Sequence, residues 1–467
     1  MTSQKRGDYT VLSALLLGQI IGPLDAAMVN VALPSIAEDL NLSITASGWI
    51  LIVYFLFAAS FMISFGRLGD VVGRKKIFRY GLLVFSIGSV SSGLSAGYAM
   101  LLAARAVQAI GAGMFTATLP ALITSTFPEQ QRGKALGIAT TVVSISLAIG
   151  PFLGGAISGT LGWRYVFLIA PVFAIASFFL CRRLVPESRA SREEEMDFYG
   201  AFLILAILAP ATLALSQGRI WGWGTPVIIG LFALSLAAAW LFIRHERATA
   251  FPIIDLELFR IPTFTLSNLA SYASYIAFQA SLFVTPFFLQ YYMGMSPQAM
   301  GLVVAVTNTT SLFLLSPSGI LSDRISPLPL EITGMALIAL SMSLFALAGA
   351  DLTLTIIVVS LVALGIGYGV FRSPNYSAVM GSVPEPSLGV AGGVFGTMRT
   401  MGFLTGIAMA GTVMGEWATK RPVAEGAGAV LNNPAFEAAA RNAYLAAFIV
   451  ALVGLLFLFI KLAYRES

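Results

Sequence analysis

Two residues carry the chemistry that needs explaining. Asp25 lies inside the apolar stretch GQIIGPLDAAMVNVALP (18–34), and Arg105 inside LLAARAVQAIGAGMF (101–115). An ionised carboxylate in hydrocarbon is costly, so it must be protonated, paired or turned to water. Burial raises a carboxyl pKa and a nearby cation lowers it. A carboxyl held between those pulls changes charge when its neighbours move, as proton coupling requires. Arg105 cannot shed its charge and must find a carboxylate, water or helix carbonyls. Gln108 follows one turn later, and Gly111 and Gly113 allow close helix packing. Asp25 with Arg105 suits proton coupling, and a structural ion pair locking two segments together fits the same residues.

Other polar residues interrupt apolar runs. Asn30 follows Asp25, and Asn268, Tyr272, Tyr275 and Gln279 share one later run, with Asn308 in the next. Tyr272, Tyr275 and Gln279 fall on one helix face. They could line a cavity for an amphipathic substrate, and ordinary hydrogen bonding between helices explains them equally well. Arg399, in TMRTMG, could attract an anionic group or stabilise helix packing; packing is the favoured reading. GIGYG (365–369) has no preceding strand, so it is no nucleotide loop. There is no Walker loop, metal-ligand spacing or nucleophile elbow. The expectation is a protein that is not an enzyme and needs no cofactor or metal.

The elements that hold these residues follow from composition. Of 467 residues, 57% are hydrophobic and 10% charged, with a mean hydropathy of +0.86. Soluble domains carry roughly 25% charged residues, so the chain is read as an integral membrane protein. Fourteen apolar runs are long enough to cross roughly 30 Å of hydrocarbon as helices, and the class is all-α. Alternating these runs from a cytoplasmic N-terminus puts most of the 27 Lys and Arg residues inside, as the positive-inside rule expects. Both termini are therefore expected in the cytoplasm. The net charge of +5 reflects this topology, and no nucleic acid is expected as a partner.

GRLGDVVGRKK (66–76) and GILSDRISPLP (319–329) share the pattern G-x-L-x-D. Each ends the second helix of a six-helix group, a sign of repeated halves. The expected organisation is an N-terminal six-helix bundle (1–184) and a C-terminal one (263–467). Between them, residues 185–262 hold a linker, an extra helix pair at about 199–243 and an interfacial segment.

Four stretches carry a family resemblance. GRLGDVVGRKK resembles motif A of the major facilitator superfamily, RAVQAIGAG (105–113) its motif B, and GIATTVVSISLAIGPFLGGAISG (137–159) the antiporter motif C. LDAAMVNVALP (24–34) is similar to the first-helix motif of the fourteen-helix drug:proton antiporters, although Ala26 and Ala27 stand where hydroxyl residues are usual. The resemblance implies a major facilitator fold of two six-helix bundles plus two additional transmembrane helices, fourteen in total. It implies a proton-coupled multidrug exporter of the cell membrane that moves amphipathic or cationic compounds by alternating access. The partners are then the substrate, protons and membrane lipids, and the protein is expected to be monomeric. Export of a lipid-like metabolite on the same fold is the main alternative; a nutrient importer or a non-transporting protein is less favoured. Gly66, Arg67, Asp70, Arg74 and Lys75 would form a conformational latch, Gly150, Pro151, Gly154 and Gly155 a hinge, and Asp25 with Arg105 the proton-coupling site.

Overall fold

In a medium without water, backbone amides and carbonyls must satisfy each other, and the apolar runs accordingly become helices. The computed structural model describes residues 2–186, 198–249, 256–347, 353–420 and 433–466. Its α-helices are α1 (Thr2–Asp39), α2 (Ile44–Val72), α3 (Arg74–Gly93), α4 (Tyr98–Thr126), α5 (Glu129–Thr160), α6 (Arg164–Leu184), α7 (Phe198–Trp221), α8 (Pro226–Ala248), α9 (Pro262–Phe287), α10 (Pro297–Ile325), α11 (Pro327–Leu347), α12 (Leu354–Gly381), α13 (Leu388–Lys420) and α14 (Pro434–Glu466). A π-helical turn, Phe288–Tyr292, continues α9 just after Pro286. No strand occurs among the described residues. Asp351, much of the expected linker and interfacial segment, and residues 421–432 lie outside them.

Local chemistry sets several boundaries. Pro226, Pro262 and Pro297 open α8, α9 and α10, where a missing amide hydrogen costs nothing. Ser296 caps α10 by accepting the amide of Ala299 at 3.3 Å, and Thr353 caps α12 through Ile356 at 3.4 Å. Gly73 turns the chain from α2 into α3 at a φ of 115°, a conformation that glycine adopts freely.

Twelve helices are long and apolar enough to cross a membrane among the described residues. α3 and α13 fall short of that measure. Arg79, Ser86, Ser89, Ser91 and Ser92 dilute α3, and Arg399 with repeated glycines and threonines dilutes α13. In both, small or polar residues replace aliphatic ones because the helix packs closely on neighbours.

The chain divides into two units, Met1–Ala32 with Trp49–Leu205, and Leu33–Gly48 with Ala206–Ser467. In the first, α3 packs along α4 and α6, with glycines at the crossings. A Cβ on Gly88 would stand 2.3 Å from the Gln108 amide nitrogen, and one on Gly111 2.2 Å from that of Phe85. In the second, α9 is the buried axis, flanked by α13 and α14, while α11 packs on α12 and α14. The tip of α1 and the start of α2 belong to this unit: Tyr291 donates to the Pro34 carbonyl at 2.7 Å, and Thr45 to that of Gly411 at 2.8 Å. α7 is tied to α13 by Thr412, which donates to the Leu215 carbonyl at 2.5 Å. α8 hangs on α7 through Ser235 and the Ile207 carbonyl and leaves Leu234, Leu236 and Trp240 exposed.

The glycine contacts predict that Gly111→Val, which forces α3 and α4 apart, costs about 1–3 kcal/mol by overpacking. Gly137→Ala, with nothing within 4 Å of its added Cβ, should be neutral. Thermal melting in detergent, followed by size exclusion, reads both.

Candidate functional site

Asp25, Arg105 and Gln108 meet in the interior of the first unit, each fully buried. Arg105 Nη1 donates to Asp25 Oδ2 at 2.7 Å and to Gln108 Oε1 at 2.6 Å. Gln108 Nε2 donates to Asp25 Oδ1 at 2.9 Å and to Ser89 Oγ at 3.0 Å, and Ser89 in turn donates to the Phe167 carbonyl at 2.6 Å. Arg105 Nε reaches the Ile50 carbonyl at 3.2 Å. The guanidinium lies 4.3 Å from the Tyr54 ring centroid and 5.5 Å from that of Phe167, which adds cation–π attraction. One network thus joins α1, α2, α3, α4 and α6. Both carboxylate oxygens accept from donors, an arrangement that suits the ionised form.

The motif C glycines stand directly behind the acid. A Cβ on Gly150 would lie 2.4 Å from that of Ala27, and one on Gly154 2.6 Å from the Met28 carbonyl oxygen. α5 therefore rests on the turn of α1 that carries Asp25. Ala27, the departure from the usual hydroxyl residue, fills this contact, so a side chain at Gly150 would have no room. Pro151 lies inside α5, which runs on through it, and Gly155 is buried there. Asn30 is buried in α1, just beyond the acid.

At the motif A turn, Asp70 pairs with Arg74 at 2.5 Å, both partly exposed. Such surface pairs contribute little to stability. Lys75 is buried and donates to the Arg182 carbonyl at 3.3 Å, tying the start of α3 to the end of α6. Among the described residues, Gly66 has Ala117 alone near the position of an added Cβ, and Arg67 is half-buried in α2.

The residues expected to face a substrate do not all meet. Tyr272 and Tyr275 lie where α9 crosses α13: a Cβ on Gly402 would stand 2.6 Å from that of Tyr275, and Tyr272 shares a 2.8 Å hydrogen bond with Thr405. Gln279 is buried one turn on, beside Gly406. Asn268 donates back to the Phe264 carbonyl of its own helix at 2.9 Å. Asn308 is half-buried on α10 and does not join that group; Arg399 is half-buried on α13.

A second buried ion pair escaped the sequence reading. Glu331 is fully buried, and Lys461 Nζ donates to its Oε2 at 2.6 Å. Lys461 also donates to Ser267 Oγ at 2.8 Å, and Asn375 Nδ2 to Glu331 Oε1 at 3.3 Å. Ser271 donates to Asn375 Oδ1. This network joins α9, α11, α12 and α14. The signal was one of topology: the start of α11 carries Glu331 and the end of α14 carries Lys461, charges of opposite sign that the fold brings together.

Removing one partner of a buried pair strands the other charge, at a cost of about 3–5 kcal/mol. Lys461→Met should therefore melt well below the native protein, and Lys461→Met with Glu331→Gln should recover most of the loss. Equal melting of the single and double variants would contradict the pairing.

Comparison with known proteins places this geometry. The model of the major facilitator superfamily matches residues 15–407 and 268–467. The chain is 30% identical over 403 residues to the riboflavin transporter RibZ of Clostridioides difficile, covering 86% of this chain and 87% of that one. It is 30% identical over 415 residues to the multidrug resistance protein Stp of Mycobacterium tuberculosis, covering 88% and 77%. With the multidrug efflux pump LfrA of Mycolicibacterium smegmatis it shares 29% over 406 residues, covering 87% and 80%. Among solved structures, a bacterial homolog of the human lysosomal transporter Spinster, inward-facing and unoccupied, superposes with a TM-score of 0.71 at 20% identity over 97% of this chain and 96% of that one. The helices, the glycine contacts and these matches agree: the chain is an all-helical, multi-pass membrane transporter that belongs to the major facilitator superfamily.

Proposed function

We propose that this transporter exports amphipathic small molecules in exchange for protons, by alternating access, with Asp25 as the proton-carrying group. The observation that carries the reading is the enclosure of Asp25: a carboxylate with no exposed surface, neutralised by Arg105 and hydrogen-bonded by Gln108, on the turn of α1 that α5 touches. A proton added to Asp25 weakens its hold on both donors. The neutral acid then no longer balances Arg105, whose guanidinium shifts its hydrogen bonding toward Gln108 and the Ile50 carbonyl. Because Ala27 and Met28 lie against the α5 glycines, that exchange is felt by α5, for which a hinge role is proposed.

The other expectations complete the proposal. All fourteen α-helices other than the short turns are taken as spans, in two six-helix bundles (1–184 and 263–467) with an added pair between them. Both termini face the cytoplasm of a cell-membrane protein that works as a monomer and uses no bound cofactor. Motif A acts as a latch on the cytoplasmic side, its members held near one another by the Asp70–Arg74 and Lys75–Arg182 contacts. The names of Stp and LfrA support drug efflux. Export of a neutral or lipid-like metabolite is the second reading, favoured because Asp25 and Glu331 are each taken up by a cation.

Proteoliposomes with an internal pH dye and an imposed proton gradient test this. Lipophilic cations, neutral amphiphiles and lysolipids are added in turn to native protein and to Asp25→Asn. Substrate-triggered proton flux should fall at least about tenfold in the variant, the size of one lost charge-assisted contact. Undiminished flux in Asp25→Asn would overturn the mechanism.

A further inference from the structure

The charges enclosed by the helices do not balance between the units. Asp25 answers Arg105, and Glu331 answers Lys461. Arg372 of α12 and Arg399 of α13 have no carboxylate partner among the described residues. A guanidinium cannot neutralise itself, and in a membrane protein an uncompensated one is expensive. A side chain needed only to fill space between helices would not be charged.

The surroundings of these two arginines are consistent with each other. Arg399 stands on α13 one turn from Phe395 and one turn from Phe403, both of which meet the Tyr275 ring, and both arginines act electrostatically on Tyr275 and Tyr368. Arg372 sits 6.0 Å from the Tyr368 ring centroid. Tyr368 stacks on Phe278 at 3.9 Å with 14° between planes. Tyr275 meets Tyr368 at 6.0 Å, Phe395 at 6.2 Å and Phe403 at 5.5 Å, in each case edge to face. These rings come from three helices, α9, α12 and α13. Tyr275, Tyr368 and Phe395 are buried, whereas Arg372 and Arg399 are each half-buried. Each therefore keeps some exposed surface, unlike Arg105, which is sealed beside its acid. Rings and hydroxyls offset part of the cost of a cation, but they supply no negative charge.

What the wall lacks, a ligand can bring. Guanidinium groups take carboxylate, sulfonate and phosphate in paired hydrogen bonds, and aromatic faces take flat rings in offset or edge contacts. We propose that Arg372 and Arg399, set in the aromatic wall of Tyr275, Tyr368 and Phe395, form an anion-recognition subsite, and that the compounds this protein handles best are planar aromatics bearing an acidic group. The assignment rests on the transport reading only for the ligand being cargo. It reverses the charge preference expected from the family resemblance, because the enclosed acids are occupied and the accessible charges are positive.

Two dyes with one scaffold and opposite charge test it. Fluorescein is an anionic xanthene and rhodamine 6G a cationic one, and binding to purified protein is followed by fluorescence anisotropy without any gradient. Native protein should bind fluorescein about tenfold or more tightly than rhodamine 6G, the scale of one charge-assisted contact. Arg372→Gln and Arg399→Gln should each weaken fluorescein by about tenfold and leave rhodamine 6G unchanged or tighter, while Arg372→Lys loses less. Equal binding of the two dyes, or Gln variants that bind fluorescein like the native protein, would overturn the subsite. Rhodamine 6G binding and melting temperature report whether each variant is folded. Should the Gln variants not fold, displacement of fluorescein from native protein decides: naphthalene-2-sulfonate should compete at least about tenfold better than a naphthyl trimethylammonium salt. The two readings fail separately. Arginine-dependent anion binding without proton flux would remove the export mechanism and keep the subsite; flux driven only by cations or neutral compounds would do the reverse.

Discussion

A charge held in an apolar interior must be answered by another group, and most of the first unit is arranged around one such answer. Asp25 receives Arg105 and Gln108, and holding those two donors in place requires α2, α3 and α6 as well. Ile50, Ser89 and Phe167 supply the carbonyls and the hydroxyl that orient them. The glycine crossings follow from this. Gln108 reaches both Asp25 and Ser89 only because Gly88 lets the backbones of α3 and α4 approach to contact. Interior hydrogen bonds are strong where water is absent, and equally costly when left unmade. The network and the close packing are one constraint.

The second unit repeats the packing and moves the charge. α3 lies on α4 and α6 as α11 lies on α12 and α14. At the join of α3 with α6, Lys75 donates to a helix-end carbonyl. At the matching join of α11 with α14, Lys461 meets Glu331 instead. The helix crossings are kept, with Gly334 and Gly367 on α11 and α12 making backbone contacts like those of Gly81 and Gly111 on α3 and α4. What differs is the polar content of each unit: a neutral, sealed triad in one, and in the other a neutral pair plus two half-buried arginines, Arg372 and Arg399.

Much of this was legible in the residues before any geometry. Asp25 stands out because an acid in an apolar run has few explanations, and Arg105 with Gln108 one turn on supplies its partners. Motif C reads as close packing, but not against which helix; that Gly150 and Gly154 meet Ala27 and Met28 depends on tertiary placement. The Glu331–Lys461 pair was hidden because each residue has a sufficient local role, one at a helix start and the other as an inner-side positive charge. Asn308 illustrates the converse: a polar residue on an apolar helix says that something satisfies it, not what. The span count is softer at α3 and α13 for a physical reason. Serine, glycine and arginine lower the hydropathy of those two helices.

The contact between Ala27 and Gly150 bears on how such a protein can diversify. Backbones already touching at 2.2–2.6 Å from a notional Cβ tolerate almost no exchange, so the acid-bearing turn and its neighbours are frozen to small residues. The rings around Tyr275 and Tyr368 are held by side-chain contacts, which similar rings can replace with local repacking. On the roles proposed above, inherited variation can accumulate in the aromatic wall, which would select the cargo, while the triad, which would drive the transport, stays fixed.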